Sequence, residues 1–217
     1  MTENSTAQKV AKLLLSIKAV TLNMEEPYRY ASGILSPIYC DNRLIMSYPE
    51  IREKVIDSFL SVITEKELEF DVVAGTATAG IPHAAWVADR LKKPMIYVRS
   101  SAKDHGKKNL IEGKLENGQK VLLIEDLVST GGSSISAVKA IKESGGDVVA
   151  CLAIFTYGME KAEKAFKEEN CPLFTLSNFN TLINTAVEEN YLSPEQAEKA
   201  VHWNRDPQGW GAKMGFE

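Results

Sequence analysis

The stretch VLLIEDLVSTGGSS, residues 121–134, joins a short apolar run to two adjacent acids and a loop of small and hydroxylated residues. The apolar run predicts a buried strand, because strands of a parallel sheet are apolar on both faces. Glu125 and Asp126 stand at the end of that strand, where two neighbouring carboxylates repel each other. The loop after them offers a core almost no side chain. Because this arrangement costs stability, we expect that a ligand requires it.

Short apolar strands alternate with helices on both sides of this stretch, which predicts a doubly wound α/β core with a parallel sheet covered on both faces. The strands are predicted at 70–75, 94–100, 120–126, 147–155 and 172–176. Pro82 falls in the first turn of one helix, where a missing N–H costs least. Gly145 and Gly146 end another.

The whole chain, 1–217, is predicted to form a single domain with a core at about 66–177. The flanking segments, about 1–65 and 178–217, are expected to form a small cap. Amphipathic helices are predicted at 6–19, after Pro49, and at 178–188 and 193–203.

In open α/β sheets, ligands bind beyond the carboxyl ends of the strands. Three predicted loops meet that description, so we expect any active site to be built from them. They are GTATAG (75–80), RSSAKDHGKKN (99–109) and EDLVSTGGSS (125–134).

The third loop has the composition of a phosphate site. Gly131 and Gly132 allow a tight turn, and the helix that follows directs unpaired N–H groups into the loop. Hydroxyls come from Ser129, Thr130, Ser133 and Ser134. No Walker A or G-x-G-x-x-G motif is present. A sugar carrying the bound phosphate would reach the two acids; the alternative is a capped helix with solvated acids.

The other two loops differ from each other. GTATAG could wrap a second phosphate with its backbone, although small residues are common in such turns. The loop from 99 runs about twenty residues without periodicity, and a loop of that length is often functional. It carries cations that could close over a polyphosphate, and His105 could donate a proton or bind an anion; the alternative is a solvated hairpin. These cations are Arg99, Lys103, His105, Lys107 and Lys108.

Composition excludes several classes of protein. The 217 residues carry a formal net charge of −4, so no global basic field attracts nucleic acid. No apolar run is long enough for a signal peptide or a membrane span. The three cysteines share no C-x-x-C spacing, which argues against a disulfide framework or a zinc site and favours a cytoplasmic location. The three histidines are widely separated, and His83 is expected to pack or cap within a helix.

The stretch 121–134 resembles the phosphoribosyl-pyrophosphate binding motif of the type I phosphoribosyltransferases. Two further segments are similar to segments of orotate phosphoribosyltransferases: YASGILSPIYCDNR (30–43) and YVRSSAKDHG (97–106). The similarity covers most of the chain. The resemblance implies a type I phosphoribosyltransferase core with a cap. It also implies transfer of the phosphoribosyl group to orotate in de novo UMP synthesis, with Mg²⁺ held mainly by substrate and water.

The resemblance also implies roles for individual residues. Catalytic roles fall on Lys103, His105 and Asp126. Contacts to phosphoribosyl pyrophosphate fall on Arg99, Lys103, His105, Glu125, Asp126, Leu127, Val128, Ser129, Thr130, Gly131, Gly132 and Ser133. The pyrophosphate loop corresponds to Thr76, Ala77, Thr78, Ala79 and Gly80, and Ser129 also touches orotate. The cationic loop serves the neighbouring subunit's site, which implies a homodimer.

Three lysines that are frequent in the family are replaced here by Ala31, Ala79 and Ser100. Cationic contacts are therefore fewer, or they come from Arg43, Lys107 and Lys108. Two other functions stay open at this point. A purine phosphoribosyltransferase would share 121–134 but need a different cap. A non-catalytic regulator that senses phosphoribosyl pyrophosphate would be expected to carry a basic surface and an added nucleic-acid module, and neither is seen.

Overall fold

The computed structural model describes residues 3–30, 32–101 and 110–216. The chain divides into two compact units, Met1–Tyr48 with Ser177–Glu217 and Pro49–Leu176. The boundary between the cap and the core was predicted near residue 66, whereas the second unit begins at Pro49. The difference arises because a helix predicted for the cap packs on the core.

The first unit begins with a helix and four short strands. They are α1 (Glu3–Ser16), β1 (Val20–Leu22), β2 (Tyr28–Arg29), β3 (Leu35–Ser36) and β4 (Ile38–Cys40), followed by a 3₁₀ helix (Asn42–Ser47). β1 pairs antiparallel with β4, and β2 pairs antiparallel with β3. The helix predicted at 6–19 is α1, which begins and ends three residues earlier than predicted, at Glu3 and Ser16.

The second unit holds the predicted α/β core. Its elements are α2 (Pro49–Glu65), β5 (Val72–Thr76), α3 (Gly80–Leu91), β6 (Met95–Val98), β7 (Ile111–Glu112), β8 (Lys120–Val128), α4 (Gly132–Glu143), β9 (Asp147–Thr156), α5 (Glu160–Glu168) and β10 (Leu173–Asn178). Arg90 of α3 pairs with Glu53 at 2.8 Å and with Asp57 at 2.5 Å, which ties α2 to the core. Phe59 of α2 is fully buried.

The central sheet has the order β10-β9-β8-β5-β6-β7. β8 pairs parallel with β5 and β9, and β5 pairs parallel with β6. The loops after β5, β6 and β8 therefore leave the sheet at the same edge, as predicted. β7 was not predicted; it pairs antiparallel with β6.

The chain ends with three helices of the first unit, α6 (Phe179–Glu188), α7 (Pro194–Arg205) and α8 (Trp210–Lys213). α1 and α6 are joined by a 2.6 Å hydrogen bond from Gln8 to Glu188. Trp203 is fully buried and donates its indole N–H to the Leu35 carbonyl at 3.0 Å. The two ends of the chain thus fold together in one unit.

Candidate active site

The loop predicted to bind phosphate, residues 129–133, runs from the end of β8 into the start of α4. Gly131 adopts a φ of +81°, a left-handed conformation that glycine takes without steric cost, and it is the N-cap of α4. The first helical hydrogen bond runs from Ile135 N–H to the Gly131 carbonyl, at 2.9 Å. The N–H groups of the preceding turn have no carbonyl to bond within the helix, and the helix dipole adds positive potential there. This geometry suits a phosphate group.

Four residues of the expected contact set, 125–128, lie within β8 itself, and the last two of them are apolar. The Val128 side chain is fully buried in the core, and its carbonyl accepts the Thr156 hydroxyl at 3.0 Å. Leu127 is half-buried. The Val128 side chain therefore cannot contact a ligand in the loop, and its carbonyl is already engaged.

The two acids at the end of β8 differ in environment. Glu125 is only 3% exposed, whereas Asp126 is half-buried. The Glu125 carboxyl accepts hydrogen bonds from Ser134 Oγ at 2.9 Å, Ser133 Oγ at 3.3 Å and the Asp126 N–H at 3.2 Å. Burial, together with the negative charge of Asp126, raises the pKa of Glu125 to about 8.

The role predicted for Ser134 differs from its position in the structure. Its hydroxyl was expected among those of the phosphate cradle, but Ser134 is fully buried and donates to Glu125. The sequence shows four hydroxyl residues close together, but it does not show which of them is buried. The register of the first turn of α4 decides this, and it places Ser134 inside.

The loop from Thr76 to Gly80 lies directly beside β8. A Cβ added to Gly80 would lie 2.6 Å from the Ile124 carbonyl oxygen and 3.4 Å from the Glu125 Cα. The Ala77 N–H donates to the Val98 carbonyl at 2.8 Å, and the Ala77–Thr78 peptide is cis. The start of α3 is thus in contact with β8 at the position of the first acid.

Two buried polar atoms near this loop have no hydrogen bond among the described residues. One is Oγ1 of Thr76, a residue 4% exposed, and the other is Nη1 of Arg99. They lie at neighbouring strand ends, because Thr76 pairs with Val98 in the sheet. A Glu112 carboxylate oxygen stands 3.6 Å from Arg99 Nη1, a contact that sequence reasoning did not predict. A buried polar atom without a hydrogen bond calls for an explanation, and a bound ligand is one.

The remaining cations of the expected site lie outside the described residues. These are Lys103, His105, Lys107 and Lys108, together with the replaced position Ala31. Arg43 is described, and its guanidinium binds Asp41 in the first unit at 2.6 Å. His83 packs within α3, as predicted, and is 1% exposed.

Comparison with known proteins identifies the family. The profile of the phosphoribosyl transferase domain matches residues 47–191. A curated orotate phosphoribosyltransferase from Coxiella burnetii is 57% identical over 94% of this chain and 98% of its own length. One from Listeria innocua is 53% identical over 95% of this chain and 99% of its own length. The chain belongs to the orotate phosphoribosyltransferase family.

The fold comparison agrees with that membership. The crystal structure of an orotate phosphoribosyltransferase from Aeropyrum pernix matches this phosphoribosyltransferase with a TM-score of 0.73 and 26% identity. The match covers 85% of this chain and 99% of the other. The predicted type I phosphoribosyltransferase fold is confirmed, and orotate phosphoribosyltransferase is favoured over the purine enzyme and the non-catalytic regulator.

Proposed function

We propose that this protein transfers the 5-phosphoribosyl group of phosphoribosyl pyrophosphate to orotate in de novo UMP biosynthesis. The products are orotidine 5′-monophosphate and pyrophosphate. The observation that carries this proposal is Thr76 Oγ1, a buried polar atom without a hydrogen bond among the described residues. It lies at a strand end next to Arg99, on the same sheet edge as a side-chain-poor loop with two acids at its start. A ligand with phosphates at both ends of a sugar would use all of these groups together.

We assign the site residues on this basis. Ser129 to Ser133 hold the 5′-phosphate, and Glu125 and Asp126 contact the ribose hydroxyls. Thr76 to Gly80 wrap the pyrophosphate, which also meets the cations Arg99, Lys103 and His105. Ser129 reaches the orotate as well.

The transfer needs no nucleophile from the protein. The ring nitrogen of orotate, as an anion, forms a bond to C1 of the ribose while the bond from C1 to the pyrophosphate oxygen breaks. Positive charge develops on the sugar ring and negative charge on the leaving group. Arg99 and the cations of its loop stabilise the leaving group, and water exclusion prevents hydrolysis of the donor.

The residues present fit a Mg²⁺ ion bound through the substrate. No cluster of three or more potential metal ligands occurs among the described residues. Mg²⁺ commonly keeps several waters and binds to substrate phosphates with one or two carboxylates nearby. Asp126 is placed to accept hydrogen bonds from such waters. When bound, the ion neutralises charge on the pyrophosphate, so we expect a chelator to abolish turnover.

We further propose a cytoplasmic homodimer in which the loop after β6 serves the neighbouring subunit's site. Large hydrophobic side chains are exposed in the first unit, and four of them lie close together in the sequence, which supports an association surface. These four are Tyr39, Leu44, Met46 and Tyr48, and the fifth is Tyr191. None of the three cysteines forms a disulfide, which agrees with a reducing compartment. In the described part of the chain, no helix combines the length and apolar character needed to cross a bilayer.

A substrate panel tests the proposed reaction. Purified protein receives phosphoribosyl pyrophosphate, Mg²⁺ and, in turn, orotate, uracil, adenine, guanine and hypoxanthine, and pyrophosphate release is followed. Orotate should be turned over preferentially. Preference for a purine would assign a purine phosphoribosyltransferase, and the absence of turnover with every base would favour a regulator.

A further inference from the structure

The Ser134 hydroxyl is engaged inside the fold and has no part in the phosphate binding proposed above. It is fully buried in the first turn of α4, while its neighbour Ser133 is exposed. A hydroxyl has one proton to donate, and that of Ser134 points to Glu125 at 2.9 Å. Ser134 therefore cannot donate to a phosphate without releasing Glu125.

The two serines that reach Glu125 are not equivalent. Both bond the same oxygen, Oε2, but the contact from Ser133 is longer, at 3.3 Å. Ser133 stands in the phosphate loop, and its exposed hydroxyl can rotate toward a bound anion. The buried hydroxyl of Ser134 then remains as the serine donor to Glu125 Oε2.

The bond from Ser134 to Glu125 also closes the phosphate loop at its base. It joins Glu125 near the end of β8 to Ser134 in the first turn of α4, nine residues further along the chain, and Gly131 lies between them. It thereby fixes the position of a sugar-binding acid relative to the N–H groups that receive the 5′-phosphate. The distance between the phosphate and the hydroxyls of a ribose is set by covalent geometry, so this spacing matters for binding both at once.

We infer that Ser134 is a positioning residue, which holds the Glu125 carboxyl where the ribose hydroxyls of a bound ribose 5-phosphate group require it. This inference rests on the proposed function for the identity of the donor substrate. Ser134 itself touches neither the sugar nor the phosphate. Its effect should therefore appear only with ligands that carry the sugar.

Binding of two ligands separates this role from a general structural one. In calorimetry, Ser134→Ala should weaken ribose 5-phosphate binding about tenfold, because a buried carboxyl loses a donor, and leave binding of inorganic phosphate within about twofold. Ser136→Ala is the matched control, since the Ser136 hydroxyl bonds the Gly132 carbonyl in the same helix and not Glu125. It should change neither affinity.

Steady-state kinetics give a second measurement on the same proteins. For Ser134→Ala, the KM for phosphoribosyl pyrophosphate should rise about tenfold and kcat should change less than about threefold. In a Glu125→Gln background, the serine substitution should cause little further loss, because it acts through that carboxyl. If Ser134→Ala does not fold, Ser134→Cys retains the size with a weaker donor, and ribose 5-phosphate affinity should lie between those of serine and alanine.

Several results would overturn the inference. Equal weakening of both ligands would place Ser134 in the phosphate cradle, and additive losses with Glu125→Gln would show independent action. Unchanged affinity for ribose 5-phosphate would remove the role altogether. Because the binding readout does not need turnover, a wild-type protein that binds ribose 5-phosphate but fails with orotate would count against the proposed reaction only.

Discussion

The fold opposes the ionisation of Glu125. Burial and the charge of Asp126 raise its pKa from an ordinary 4.5 to about 8, so between these values the folded chain keeps a proton that the unfolded chain has lost. The free energy of unfolding must then fall as pH rises through that window, by at most about 1.4 kcal/mol per pH unit. Above about pH 8 the penalty is constant.

Urea unfolding of the wild type and Glu125→Gln at pH 5, 6.5 and 8 measures this effect. The stability of the wild type should fall relative to the glutamine variant as pH rises. Parallel stability profiles for the two proteins would show that Glu125 ionises as freely in the folded state as in the unfolded one.

His83 should show the opposite dependence on pH. Burial lowers its pKa from 6.5 to about 4, so between these values the unfolded chain binds a proton that the folded chain does not. Stability should fall as pH falls from about 6.5 to about 4. Neither ring nitrogen has a hydrogen bond among the described residues, so His83→Leu should be at least as stable as the wild type at pH 7.

Thermal unfolding across that pH range checks the His83 prediction. The leucine variant should lose less stability on acidification than the wild type. His202, which is exposed, provides the control: His202→Gln should follow the wild-type profile. If His83→Leu loses as much stability on acidification as the wild type does, the assignment of a buried neutral imidazole is contradicted.

At the scale of elements, the start of α3 can approach β8 closely because residue 80 is glycine and has no side chain. The Cβ of Gly80→Ala would lie 2.6 Å from the Ile124 carbonyl oxygen, a distance that forces backbone to move. We expect a loss of about 1–3 kcal/mol of stability, and reduced turnover because the pyrophosphate loop and the ribose acids separate.

Chemical denaturation and the orotate assay measure these two effects of Gly80→Ala. For stability alone, Gly132→Ala is the matched control, because a Cβ there meets no atom within 4 Å. Stability of Gly80→Ala equal to that of the wild type would show that the start of α3 can move away from β8 without cost.

The sequence predicts the elements of the core well, because each buried strand is an apolar run of its own. It does not predict β7, since Ile111 and Glu112 are too few to show a period and pair with β6 only in the folded chain. It also misses that α2 belongs to the core unit: the amphipathic pattern around Phe59 shows that one face is buried, but not against what. Similarly, the sequence does not show that Glu125 is buried and accepts a hydrogen bond from Ser134, because this contact depends on the register of the first turn of α4.

At the scale of the whole molecule, the active-site loops all belong to the unit Pro49–Leu176, whereas the chain ends form the other unit. The proposed dimer adds a further division, because Lys103 would act in the partner's site while Asp126 acts in its own. Lys103 lies outside the described residues, so this arrangement is tested by activity rather than by geometry. Lys103→Ala alone should lower turnover strongly without loss of folding.

Mixing Lys103→Ala with Asp126→Asn subunits tests the shared site directly. In a mixed dimer, one site combines an intact Asp126 with the partner's intact loop, and the other site lacks both. Random exchange makes half of the dimers mixed, so about a quarter of wild-type activity should return. Each variant incubated with itself is the control. If the mixture shows only the mean activity of the two variants although subunits have exchanged, each loop serves its own subunit.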